Sequence, residues 1–376
     1  MRVIHFSDTH LGFQAFDVVN AEGVNAREQD VYDAFARVVD RVLDLKPDVV
    51  VHSGDFFHRP SPSNRALTFG LEQLRRICDI NIPVVIIAGN HETPKTIYNS
   101  PILRAFRSLD CVVPVFGETW EQAVFGDLVV HGVPHINDNR LLFRELERMQ
   151  PQPGKFNILL LHTSLGKRFL MEEYGEQVYP EAFESKLQDF QYIALGHWHN
   201  YQQIDLHPNA WYSGSIERLS DTEVGTEKGF LVLDIDKSGS CEITFEAIRT
   251  RPWLKLDLND CQSKTVAQLL SDMEQFRDAH TIDDAIISLN INDIKVEQTL
   301  ELSNAVLRGV FPDCFQMVVK RRSFADRAFV HSIEANQFDR LDRIFAEYVR
   351  SKYSDDTATA DRITDRAQRY FADTEK

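Results

Sequence analysis

Arg2-Val3-Ile4-His5-Phe6-Ser7-Asp8-Thr9-His10 sets an apolar, β-branched run directly before a carboxylate and an imidazole two residues apart. The same construction returns along the chain. Val49 to His52 leads into Gly54-Asp55-Phe56-Phe57-His58, and Val84 to Ala88 into Gly89-Asn90-His91-Glu92. Ile158 to His162 ends on its histidine, and Tyr192 to Leu195 precedes Gly196-His197-Trp198-His199. Each run predicts a short buried strand, with two more at Leu128 to Val133 and Phe230 to Asp234. Between them Glu28 to Leu45 places Val31, Phe35, Val38, Val39 and Val42 at helical spacing, and Pro47 ends that helix. Another helix is predicted from Ser63 to about Ile80. Strands alternating with amphipathic helices predict a layered α/β fold. Ligands of open α/β sheets gather beyond the carboxyl ends of strands, so the five motifs are expected to converge in one pocket.

Taken singly, each motif is weak. An Asp-x-His triplet or a strand-end histidine is more often hydrogen-bonded structure than a ligand, and the glycines can be turn residues. Together they supply carboxylate, amide oxygen and imidazole without a thiolate. That is the donor set for a pair of hard or borderline divalent cations roughly 3.5 to 4 Å apart, with one carboxylate bridging them.

The chain has 376 residues, 43% of them hydrophobic and 26% charged, which predicts a catalytic domain with smaller appended units. No apolar run approaches the ~20 residues needed to cross a bilayer, and the opening lacks the pattern of a signal peptide, so a cytoplasmic location is expected. The five cysteines, Cys78, Cys111, Cys241, Cys261 and Cys314, are scattered and never form a Cys-x-x-Cys pair, so they are expected to be reduced and structural. A net charge of −16 argues against a uniformly basic nucleic-acid coat. Affinity for a polyanion would have to come from metal ions, local basic patches or a partner.

Residues 1–250 are read as the catalytic domain. Arg249-Thr250-Arg251-Pro252 reads as a hinge, after which a mixed α/β unit is expected over 251–330 and a helical segment over 331–376. In that last segment Phe338, Leu341, Ile344, Phe345, Tyr348 and Val349 recur at spacings of three and four, followed past a polar break by Ile363, Ala367, Tyr370 and Phe371. Lys320-Arg321-Arg322 is a candidate phosphate contact, although charge runs are usually solvated faces.

The order DxH, GD, GNH, H, GHxH resembles the calcineurin-like metallophosphoesterase superfamily, with no ligand missing. FSDTHLG, GDFFHRPSPSN, GNHETP, GHWH and YSGSIER narrow the likeness to SbcD-type DNA exonucleases, the nuclease partners of an SMC-like ATPase. At Glu92 the family often carries Asp. The resemblance implies a core of two face-to-face β-sheets flanked by helices, a small α/β capping domain that contacts DNA, and C-terminal helices that bind an ATPase of the SbcC type. It implies that Asp8, His10, Asp55 and His199 hold one metal ion and Asp55, Asn90, His162 and His197 the other. It also implies that His91 stabilises the transition state or protonates the leaving 3′ oxygen, and that His58 positions the scissile strand. Two manganese ions, 3′ to 5′ exonuclease action on duplex ends, endonuclease action on single strands or hairpins, and a homodimer complete the implication. Candidate donors of dimer surface are the Ser63 to Ile80 helix and the segment Tyr98 to Leu109, which can equally be ordinary core. The rival readings are a related phosphoesterase acting on nucleotides or phosphoproteins, and an architectural subunit that docks an ATPase. Against a phosphoprotein phosphatase, Phe56-Phe57-His58 intervenes between the GD motif and Arg59.

Overall fold

A computed structural model of the chain describes residues 1–96, 100–166, 178–323, 341–354 and 356–374. It divides into two compact units, Met1–Arg251 and Pro252–Lys376. Tyr98, the end of the mixed unit beyond Ser323, and Phe338 lie outside the described residues, as do the side chains of Leu341, Ile344, Tyr370 and Phe371.

In chain order the first unit contains β1 (Arg2–Phe6), α1 (Ala26–Leu45), β2 (Val49–His52), α2 (Asn64–Cys78), β3 (Val84–Ile87), β4 (Val112–Val115), β5 (Glu121–Phe125), β6 (Leu128–Val133), α3 (Asn139–Arg148), β7 (Phe156–His162), β8 (Tyr192–Gly196), β9 (Gln202–Gln203), β10 (Ala210–Tyr212), β11 (Gly229–Ile235) and β12 (Cys241–Ala247). They form two six-stranded sheets, ordered β12-β11-β1-β2-β3-β4 and β5-β6-β7-β8-β10-β9. Strands β1 to β4 are parallel, as are β6, β7, β8 and β10. Their ligand-bearing ends therefore point the same way within each sheet.

The period-two alternation of a strand explains the layering. Val3, Val49, Val51, Val85 and Ile87 of the first sheet meet Leu128, Val130, Ile158, Leu160 and Ala194 of the second in one apolar cluster. The opposite face of the first sheet, through Ile4, Phe6, Val50, Val84 and Ile86, packs on Val31, Phe35, Val38 and Val42 of α1 and on Leu74 and Ile77 of α2. The second sheet likewise packs Leu159, Leu161, Ile193 and Leu195 on Leu142 and Leu146 of α3. The result is helices outside two sheets that lie face to face. Asn25 caps α1 by accepting from the Arg27 and Glu28 amides at 3.0 and 3.2 Å, and Lys46 closes it in the left-handed region before Pro47.

The cysteine expectation needs correcting, because Cys78 and Cys111 form a disulfide. Cys78 ends α2 and Cys111 precedes β4. Their Cα atoms stand 5.4 Å apart, although 33 residues separate them in sequence. Within Ile102–Ser108, Leu103 and Phe106 are buried in the unit's own core, the ordinary-core alternative for that segment.

The second unit has β13 (Trp253–Leu258), α4 (Val266–Ala279), β14 (Ile286–Ile294), α5 (Val296–Glu301), α6 (Asn304–Val310) and β15 (Gln316–Ser323), with a parallel sheet ordered β13-β14-β15. Its core joins Ile287, Leu289 and Ile291 to Leu269, Met273 and Leu307. Two further helices, Leu341–Lys352 and Thr357–Thr374, pack on each other, and Val349 and Ala360 are buried. Among the described residues no helix is long and apolar enough to cross a membrane.

Candidate metal centre

The site is built from turns that leave parallel strands. Four non-glycine residues in these turns have a positive φ: Asp8 at 51°, His10 at 49°, Asp55 at 56° and His197 at 100°. Non-glycine residues seldom adopt this conformation, which persists only where the surroundings over-determine it. Here they do. The Asp8 amide donates to the Gly54 carbonyl at 3.0 Å, His10 to Asp55 at 3.0 Å and Leu11 to Phe56 at 2.9 Å, stitching the first turn to the second. The His197 amide donates to both Asp8 carboxylate oxygens at 3.1 Å, bringing a turn of the second sheet to the first. Two glycines are required by close approach. A Cβ on Gly89 would lie 2.2 Å from Asp55 Oδ1, and one on Gly196 would lie 2.1 Å from the Ser53 carbonyl oxygen.

Three groups of side chains converge, each with its ligating atoms within 4.8 Å of one another: Asp8, His10 and His199; Asp8, Asp55 and His162; His10, His58 and His91. Asp55 Oδ2 lies 3.7 Å from His10 Nε2, 3.2 Å from His162 Nε2 and 4.0 Å from His91 Nε2. Asn90 Oδ1 lies 3.0 Å from His162 Nε2. His199 Nε2 stands 3.3 Å from His10 Nε2 and 3.9 Å from Asp8 Oδ1. His197 is outside the three groups, but its ring is edge-on to His162 with centroids 5.4 Å apart. The His91 amide donates to Asp55 Oδ1 at 2.9 Å, and His91 Nδ1 donates to the His58 carbonyl at the same distance. The His58 ring lies against His10 and His91.

The electrostatics suit cations. Burial alone would raise the Asp55 carboxyl, yet His162 and His91 hold it well below the ordinary carboxylate range. Burial opposes charge on His162, and the adjoining Asp55 carboxylate overrides it, raising the imidazole to about 10. His199 is raised by Glu223 against the same burial, whereas burial pushes His10 well down and His58 to about 4. Ionised carboxylates, an amide oxygen and imidazoles facing one another without a thiolate fit two divalent cations.

The motifs do not reveal what holds these ligands. His162 Nδ1 donates to the Ser53 carbonyl at 2.8 Å, and Ser7 Oγ bonds the Asp8 carboxylate and lies 2.8 Å from Ser213 Oγ. Glu223 meets His199 Nδ1 at 3.0 Å. Glu92 is fully buried and accepts from the Phe56 amide at 3.1 Å and the Gly89 amide at 3.3 Å, tying the GD turn to the GN turn. Its acidic side chain thus has a structural task. His135, just past β6, is also buried, and its amide donates to the Ala88 carbonyl at 2.8 Å. Of these residues Ser7, Glu92 and Ser213 lay in quoted motifs, FSDTHLG, GNHETP and YSGSIER, whereas Ser53, His135 and Glu223 lay in none and carried no spacing signal.

In the second unit, the run Lys320-Arg321-Arg322 lies on β15 opposite Asn290, Ile291 and Asn292. Strand alternation places Lys320 and Arg322 on one face and Arg321 on the other. Arg321 donates to the Leu302 carbonyl at 2.9 Å and to Asn304 Oδ1 at 3.0 Å. The three cations are therefore not one patch.

The chain is 26% identical over 377 residues to the DNA double-strand break repair protein Mre11 of Methanococcus maripaludis, covering 94% of this chain and 92% of that protein. It is 29% identical over 275 residues to the protein of that description from Sulfolobus acidocaldarius (69% and 66% covered), and 33% over 245 residues to that from Saccharolobus solfataricus (63% and 61%). The calcineurin-like phosphoesterase profile matches residues 1–201, which hold every converging ligand. With that match spanning more than half its length, the chain belongs to the calcineurin-like phosphoesterase family.

Proposed function

We propose that the chain is a DNA nuclease of double-strand break repair, a two-metal phosphodiesterase. The observation that carries this reading is the place of Asp55 Oδ2 between His10 Nε2 and His162 Nε2, at 3.7 and 3.2 Å. Similarity to a DNA double-strand break repair protein along 94% of the chain supports the substrate class. Asp8, His10, Asp55 and His199 would hold one divalent cation, and Asp55, Asn90, His162 and His197 the other, with manganese the expected metal. When bound, such cations supply Lewis acidity beside the phosphoryl oxygens, where negative charge grows during in-line displacement.

The chain's own groups do the rest. By giving Nδ1–H to the His58 carbonyl, His91 fixes its ring orientation and turns Nε2 outward on a one-third exposed ring; as the imidazolium, Nε2–H would donate to the leaving 3′ oxygen, passing its proton there as the bond to phosphorus breaks. The His58 ring lies beside it and lines the path of the scissile strand. Lys320 and Arg322, side by side on β15, contact backbone phosphates. Exonuclease action is 3′ to 5′ on duplex ends, with endonuclease action on single strands and hairpins. The protein works as a homodimer bound to an SMC-like ATPase.

End-labelled duplexes of defined polarity provide the test. The expected result is manganese-dependent shortening from 3′ ends, abolished by chelator. Hydrolysis of a phosphopeptide or nucleotide monoester with DNA left intact would replace this reading with one of its rivals.

A further inference from the structure

Two of the imidazoles that face the carboxylates are held from behind in different ways. His162 gives its Nδ1 proton to a neutral acceptor, the Ser53 carbonyl, at 2.8 Å. His199 faces a full carboxylate, with Glu223 Oε1 3.0 Å from its Nδ1. Glu223 closes the short turn Asp221–Glu223 and is 2% exposed. The same Oε1 accepts from the Leu219 amide at 3.2 Å, while Oε2 accepts from Ser215 Oγ at 3.0 Å and from Lys228 Nζ. Lys228 is as deeply buried, and it also donates to the His199 carbonyl at 2.7 Å and to Ser215 Oγ at 2.9 Å. One lysine thus grips the backbone of His199 and the carboxylate behind its ring.

Burying a lysine and a glutamate together is costly, and an apolar pair would pack as well without that cost. A carboxylate on the far nitrogen of an imidazole fixes which nitrogen keeps its lone pair and makes that nitrogen a stronger donor, more so than a carbonyl can. Here the nitrogen so exposed is Nε2, which faces Asp8 and His10.

We propose that Glu223, held by Lys228, is a positioning residue that strengthens His199 as a ligand and sets the affinity of the Asp8–His10–His199 half of the centre independently of the other half. The proposal rests on the reading of His199 as a metal ligand. The Asp55–Asn90–His162 half does not share this support, so the two halves are expected to fill at different metal concentrations.

The test is manganese binding to the full chain, followed by calorimetry and by the electron paramagnetic resonance of single and paired ions. The variants are H199A, E223Q, K228M and the doubles E223Q/K228M and E223Q/H199A, with the melting temperature of each metal-free protein recorded. H199A should lose one of two ions. E223Q should weaken one ion by about 10- to 100-fold and spare the other. E223Q/K228M removes both buried charges and should keep that one-site weakening while melting closer to the parent than E223Q does, which a merely structural role would not give. In the H199A background, E223Q should change nothing further. Wild-type binding of both ions by E223Q, equal weakening of both, or added loss in the H199A background would each overturn the proposal. Retention of both ions by H199A would instead remove the ligand assignment beneath it.

Discussion

Replacing His91 with alanine is expected to remove most hydrolysis, about 10²- to 10⁴-fold, and none of the metal. The ring reaches Asp55 only at 4.0 Å, and its fixed partner is the His58 carbonyl, so its proposed work is on the leaving group. Elemental analysis beside a nuclease assay decides this, and metal lost in step with activity would make His91 a ligand. Asp55→Ala is expected to do more harm than His10→Ala, because the proposed assignment gives Asp55, whose Oδ2 faces both His10 and His162, to both halves of the centre and His10 to one. The stoichiometry should fall by two ions in the first variant and by one in the second, and an Asp55 variant binding two ions normally would rule out the bridge. The ligand types were legible in sequence because each follows a buried strand, as His162 does at the end of Phe156-Asn157-Ile158-Leu159-Leu160-Leu161. Their supports were not. Ser53 acts through its carbonyl, which any residue possesses, and Glu223 and Lys228 lie 24 and 29 residues beyond His199 with no repeat to mark them.

On neighbouring strands, His5 and His52 sit fully buried beneath the site, and burial pushes both imidazoles down to about 3. His5 meets Tyr192 Oη and Ser53 Oγ at 2.8 Å, and His52 meets Thr9 Oγ1 at 2.8 Å. Their folded values lie below the unfolded value near 6.5, so the unfolded chain takes up protons first. The stability they confer is complete above about pH 6.5 and is lost as pH falls toward 3, by about 1.4 kcal/mol per pH unit for each proton. Urea unfolding of metal-free protein should show a clear loss between pH 7 and pH 5, and equal stability at the two would contradict neutral burial. The Cys78–Cys111 bridge encloses β3 and the turn bearing Asn90 and His91. Reduction is expected to destabilise the unit by roughly 3 to 4 kcal/mol from loop entropy, visible as a lower melting temperature under dithiothreitol. Elements buried on both faces, such as β2 and β7, were readable as unbroken apolar runs. The edge strands β5 and β12 were not, because Glu121-Gln122-Ala123-Val124-Phe125 and Cys241-Glu242-Ile243-Thr244-Phe245-Glu246-Ala247 are half exposed and mix charge into the pattern. The disulfide was equally hidden, since it joins cysteines that only the folded sheet brings together.

For the molecule as a whole, the C-terminal helices are the proposed attachment to the ATPase, which would also answer how a chain of net charge −16 gains hold on DNA. Deleting residues 334–376 is expected to abolish co-purification with an SMC-like ATPase while sparing manganese-dependent cleavage of short substrates. A complex that survives the deletion would refute this. A fall in the melting temperature of the truncated subunit alone would assign the helices to packing on their own chain. The junction is anchored on the first unit: Arg251 binds Asp30 with two hydrogen bonds, at 2.7 and 2.8 Å, and Asp30 also pairs with the buried Arg27. The spread of the metal centre along the chain also bears on its synthesis. Its proposed ligands run from Asp8 to His199, and Lys228 donates to the carbonyl of the last of them. A growing polypeptide that has made only the first turns holds Asp8, His10 and Asp55 but not yet His162, His197 and His199, so on the proposed assignment both cation positions are incomplete. On the proposed ligand set, metal loading would therefore wait until β8 and the turn carrying His197 and His199 have been made, and a chain interrupted earlier on the ribosome would leave the centre incomplete.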